Sequence, residues 1–123
     1  MGIKNKIVDG YAYFLTMTVV NWIDIFTRPV YKHIIVDALQ YNQQNKGLII
    51  FAWCLMSNHL HIIAEAEEGH NLSVILRDFK KFTSKAIVKE IKENPGESRK
   101  KWMLKEFKLA GKENPKIKNY KFW

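Results

Sequence analysis

An α+β domain with a ferredoxin-like, split βαβ sheet and its helices on one face is the fold class that this sequence predicts. Three observations lead there. Segments of strand character occupy residues 13–20, 48–56 and 59–66. A stretch of helical periodicity separates the first two, whereas only Ser57-Asn58 separates the last two. A second, longer helical stretch follows the third. Strand, crossover helix, hairpin and helix in that order define the split βαβ motif, and 123 residues suit one compact domain spanning 1–123.

Each element has a local cause. Tyr13 to Val20 is rich in aromatic and β-branched residues, with Thr16 and Thr18 alternating against apolar neighbours, the pattern of a strand. Arg28-Pro29 opens a helix, because proline suits the first turn. Val30, His33, Ile34, Asp37, Ala38 and Tyr41 share one face by spacing, Leu39 widens its apolar side, and Gly47 stops the helix. His33 falls at a partly buried edge of it. The nine-residue apolar run Leu48–Met56 predicts a central strand covered on both faces, with Cys54 buried inside it. His59 to Ala66 then returns as its hairpin partner.

Asn71 is a suitable N-cap for a helix from about Leu72 to Lys92. Leu72, Ile75, Leu76, Phe79, Phe82, Ala86 and Ile87 form its expected apolar face, and Arg77, Lys81, Lys85, Lys89 and Lys92 form a basic stripe opposite. Asn94-Pro95-Gly96 breaks this helix. A further one is expected from Glu97 to about Leu109, ended by Gly111, with Trp102 read as core. Residues 117–123 alternate apolar and polar, as a last strand does.

Composition narrows the function classes. At 47% hydrophobic and 13% aromatic the chain is neither disordered nor fibrous. No apolar run approaches the roughly 20 residues of a membrane span, no signal-like stretch follows Met1, and a single cysteine forms no intramolecular disulfide. A soluble, cytoplasmic protein with no membrane partner is expected. Charge is uneven. Residues 1–76 hold 5 Lys/Arg and 6 Asp/Glu, but residues 77–123 hold 15 and 6. Such an imbalance points to a polyanion as partner, although a merely solvated lysine-rich face has the same composition.

The chemistry centres on Ser57-Asn58-His59-Leu60-His61. Alternate residues of a strand share a face, so His59 and His61 stand side by side while Leu60 and Ile62 enter the core. Two imidazoles can hold a divalent ion from two corners and leave positions open for a phosphate oxygen. Two surface histidines that alternate by chance are the plainer alternative. Glu65 shares their face but lies four residues on, roughly 13 Å away, too far to complete the same site.

Together these residues resemble the HUH single-tyrosine transposases, of the REP-associated tyrosine transposase type. The likeness runs through Met56-Ser57-Asn58-His59-Leu60-His61-Ile62-Ile63 and the helix Leu72-Ser73-Val74-Ile75-Leu76-Arg77-Asp78-Phe79-Lys80-Lys81-Phe82-Thr83-Ser84. It extends to Tyr13–Val19, Asn21–Phe26 and Trp53–Met56, most of the chain. The resemblance implies a dimeric domain acting on single-stranded or hairpin DNA, with His59 and His61 binding Mg²⁺ or Mn²⁺. It also implies a tyrosine nucleophile that leaves a 5′-phosphotyrosine link. Asn58, Arg77, Lys80, Lys81, Lys85 and Lys89 are the expected DNA contacts, and Trp102 and Tyr120 are candidates to stack on unpaired bases.

The sequence departs from the family pattern in one respect. A Tyr-Ile-His-x-Asn-Pro-like segment, which carries the family's nucleophile and a further metal ligand, is not found before Trp123. Tyr120 is the late candidate for a nucleophile. The expectation is therefore a transposase domain lacking its catalytic helix and inactive by itself. The alternatives are a non-catalytic nucleic-acid-binding domain and a small metal hydrolase in which the histidines activate water.

Overall fold

The computed structural model describes residues 7, 8, 10–113 and 119–123. Residues 1–6, 114–118 and most of the loop expected around Pro115 lie outside the described residues, as does the start of the expected last strand. Three strands, β1 (Tyr13–Thr18), β2 (Leu48–Leu55) and β3 (His59–Ala66), form an antiparallel sheet in the order β1-β3-β2. Helix α1 (Pro29–Asn45) connects β1 to β2, and α2 (Leu72–Glu93) and α3 (Lys100–Lys112) follow β3. Because β1 and β2 both run antiparallel to β3, they are parallel to each other with one strand between, which is the split βαβ arrangement.

β3 alternates strictly. Leu60, Ile62, Ala64 and Ala66 are buried beneath the helices, while His59, His61, Ile63 and Glu65 face the open side. Across β1, Met17 stands opposite Leu60 on the core side, and Thr16 and Thr18 stand opposite His61 and His59 on the open side. The core continues through Tyr31, Ile35, Phe79, Ile87, Ile91, Met103, Phe107 and Phe122. One face of the sheet is thus sealed, and the other is uncovered among the described residues.

Several expectations are corrected. β2 is an edge strand, not a central one. Its ladder with β3 shifts between Ile50 and Ala52, so Phe51 sits in a bulge. Phe51, Ala52, Trp53 and Cys54 are all exposed, which places Cys54 on the surface. The buried face of α1 is Tyr31, Ile35, Ala38, Leu39 and Asn42, rotated from the expected one, and His33, Asp37 and Tyr41 are exposed. On α2, Phe82 is 61% exposed and Thr83 takes its place in the core.

The third helix starts at Lys100 rather than Glu97, because Glu97 is buried and its carboxylate accepts the Arg99 backbone N–H at 2.9 Å. It continues through Gly111 to Lys112. A Cβ at Gly111 would stand 2.7 Å from the Asn119 carbonyl, so the glycine admits a backbone crossing instead of ending the helix. Trp102 is exposed rather than core. Residues 119–123 form no strand, but Phe122 is fully buried and its carbonyl accepts the Val20 N–H at 2.8 Å.

Candidate metal and nucleic-acid site

The hairpin turn and β3 set His59 and His61 on the open face with ring centroids 4.5 Å apart and nearly perpendicular. Both rings are half-buried. The Nδ1 of each is occupied by a neighbour. His61 Nδ1 lies 3.0 Å from the Thr16 hydroxyl across the β1–β3 ladder. His59 Nδ1 lies 2.7 Å from Asn58 Oδ1.

These two partners differ in what they dictate. The Asn58 amide nitrogen donates to the Trp22 carbonyl at 3.3 Å, so its oxygen is the end that faces His59. An amide oxygen only accepts, hence His59 Nδ1 carries the proton and Nε2 keeps the lone pair. A hydroxyl both donates and accepts, so Thr16 leaves His61 free in either tautomer. Trp22, which supplies the carbonyl, is 70% exposed and follows Asn21 in a 3₁₀ turn where both have positive φ, 55° and 57°. For a bulky residue that conformation is strained. Asn21 is held by its amide donating to Glu106 on α3 at 2.9 Å.

The donor set fits a divalent ion in part. Two imidazoles with Nδ1 hydrogen-bonded have the outer support usual for metal-ligating histidine. Among the described residues no group of three His, Cys, Asp or Glu side chains converges, so the remaining positions of such an ion fall to oxygens of water or phosphate. Glu65, opposite Ile49 at the far end of β3, stays apart as its spacing predicts.

The expected DNA contacts divide. Asn58 is half-buried and serves His59. Arg77, Lys80, Lys81, Lys85 and Lys89 are exposed along α2. Arg77 is paired with Asp78 at 3.3 Å, which reduces its availability to a phosphate. Tyr120 is half-buried, with the Lys92 ammonium 4.7 Å above its ring. Phe14 is exposed on the open face with its ring 5.4 Å from that of His61, a neighbour that strand alternation could have supplied.

A second polar centre lies in the core. Glu97 is 5% exposed and receives the Tyr31 hydroxyl at 2.8 Å and Arg99 Nε at 3.1 Å, with Arg28 Nε 3.5 Å away. Burial alone would raise its pKa, but the hydrogen bonds from Arg99 and Tyr31 win and hold it at about 2. Burial first, and then the Glu97 contact, push the Tyr31 phenol well above its ordinary value.

No helix among the described residues is long and apolar enough to cross a membrane. Comparison with known proteins gives a match to the family described as IS200-like transposases over residues 8–119. A crystal structure of a candidate transposase from Deinococcus radiodurans is similar in fold, with a TM-score of 0.55 at 15% identity. The likeness covers 86% of this chain and 97% of that one. No curated protein matches the chain.

Proposed function

The chain belongs to the IS200-like transposase family, and on that premise we propose a single-stranded DNA transposase domain that binds hairpin DNA at its open sheet face. In this reading His59 and His61 hold Mg²⁺ or Mn²⁺ at the scissile phosphate, for tyrosine-mediated cleavage and joining. One observation carries it: the pair stands on the uncovered face with both Nδ1 atoms engaged and both Nε2 atoms left without a hydrogen-bond partner among the described residues. When bound, the ion supplies Lewis-acid stabilisation of the charge that builds on a phosphoryl oxygen.

The chain's own residues do the rest. Asn58 fixes the His59 lone pair outward, Thr16 steadies His61, and the α2 lysines draw in the phosphate backbone. A homodimer belongs to the same reading. The free edge of β2, with Phe51 and Trp53 exposed, supports strand addition by a second copy. A second reading is a nucleic-acid-binding domain without strand transfer. It is favoured by the placement of Tyr31, whose hydroxyl donates to Glu97, and of Tyr120, whose ring lies under the Lys92 ammonium.

Incubation with Mn²⁺ and a single-stranded hairpin oligonucleotide, followed by denaturing electrophoresis, separates the readings. A protein–DNA adduct that disappears in His59→Ala supports the transposase. An adduct also lost in Tyr120→Phe would assign the nucleophile. Binding with no adduct supports the second reading, and absence of any binding would overturn both.

A further inference from the structure

A cleft of about 530 Å³ opens where β1 ends, walled by Thr18, Asn21, Ala110, Glu113, Lys121 and Trp123. Its volume lies within the roughly 300–1,000 Å³ usual for small-ligand sites. Thr18 stands directly opposite His59 in the β1–β3 ladder and on the same face, so the cleft begins beside the histidine pair. We propose that this cleft is a subsite for one nucleotide of the bound strand, next to the nucleotide held at the histidines, with its 5′-phosphate against Lys121. The inference rests on the transposase reading and adds to it where the strand runs.

Three features match a nucleotide. The first is charge. Lys121 is half-buried, and among the described residues neither it nor Lys80 has a carboxylate within 4.0 Å, since the ion pairs there are Arg28–Glu97, Arg99–Glu97 and Arg77–Asp78. Lys80 lies outside the cleft walls and is exposed as a residue, but partial burial of its ammonium, and then the nearby charge of Lys121, lower its pKa. An anion held at Lys121 relieves its repulsion with Lys80. The second is an apolar wall. The Trp123 indole N–H is committed to the Thr83 hydroxyl at 2.9 Å, and its ring packs near Phe26, Phe79 and Phe122, so it is a fixed surface for a base. The third is polar edge groups. The Thr18 hydroxyl and the Asn21 carboxamide serve sugar or base, and the Glu113 carboxylate accepts from an exocyclic amine.

The test measures fluorescence anisotropy of a labelled single-stranded hairpin oligonucleotide with the full chain, across a salt series. Lys121→Ala should weaken binding about fivefold at 0.15 M salt and lower the salt slope by about one. Lys121→Arg should restore both. Ala110→Trp, which fills the cleft without changing charge, should weaken binding comparably while circular dichroism and Tm stay unchanged. Unchanged affinity in both Lys121→Ala and a folded Ala110→Trp would overturn the subsite.

A second measurement separates this inference from its parent. Amide chemical shifts are followed on titration with deoxyadenosine 5′-monophosphate. Shifts at Thr18, Asn21 and Lys121, lost in Ala110→Trp, support the cleft even if the hairpin oligonucleotide does not bind, in which case the transposase reading alone fails. Oligonucleotide binding without those shifts and without the Lys121 effect removes the subsite and leaves the transposase reading intact.

Discussion

Two polar centres, the Glu97 cluster and the histidine pair, are built from similar groups and finished in opposite ways. Around Glu97 every valence is closed inside the chain, with Tyr31 and Arg99 donating and Arg28 near. No buried side-chain nitrogen or oxygen among the described residues lacks a partner. At the histidines only the inner nitrogens are satisfied, and the outer ones are left to whatever arrives. A polar group that the fold completes serves stability, whereas one that the fold half-completes is available for chemistry.

That contrast is broken most severely at the closed centre. Glu97→Ala should cost about 2–3 kcal/mol, because it removes the acceptor of the buried Tyr31 hydroxyl and the partner of two partly exposed guanidinium groups, and the fall appears in the urea midpoint. Tyr31→Phe should cost about 1.5–3 kcal/mol, the range for a hydrogen bond to a charged group. The Glu97 contribution also has a pH signature. Its folded pKa lies below the ordinary carboxylate value of about 4.3, so the stabilisation is present above that value and is lost as pH falls toward about 2. Tyr31 has the opposite sign. Its folded pKa is raised, so its contribution is lost as pH rises past about 10. Glu97→Gln should flatten the acid limb of the stability profile, and an unchanged limb would remove Glu97 as its cause.

At the open centre the expected effects on stability are small and those on function large. His59→Ala and His61→Ala should each change stability by about 0.5 kcal/mol or less while abolishing Mn²⁺ binding measured by isothermal titration. A loss of several kcal/mol in either would mean that the pair is structural, and the contrast would fail. Thr16→Val is the mildest change. It removes the hydroxyl beside His61 and should weaken Mn²⁺ binding about tenfold, measured by isothermal titration, with Tm nearly unchanged.

Much of this architecture is legible in the sequence, and the misses have physical causes. Periodicity placed β3, α2 and the Asn71 cap, whose side chain accepts the Val74 N–H at 3.1 Å. It also pairs β2 with β3 as a hairpin, as the ladder has it, but not at the sheet edge, because a continuous apolar run reads alike in a covered centre and in an edge that a partner could cover. The buried face of α1 departs from the apolar spacing because a polar residue is buried there: Asn42 donates to the Ala38 carbonyl at 2.7 Å and so enters the core without an unpaired amide. Thr83 likewise displaced Phe82 from the core because its hydroxyl reaches the Phe79 carbonyl at 2.8 Å. For the site, strand alternation brought His59 and His61 together. The role of Asn58 toward His59 needs the Trp22 carbonyl, 36 residues away in the chain, and no local pattern announces it.

The Asn58 carboxamide therefore works as an orientation lock. Its direction is set by the carbonyl of a turn held at positive φ, and that direction decides whether His59 presents a lone pair or a proton. Half a rotation of the amide would place its NH₂ against Nδ1, transfer the ring proton to Nε2 and turn an acceptor into a donor. The left-handed turn at Asn21-Trp22 thereby governs the polarity of an atom it never touches.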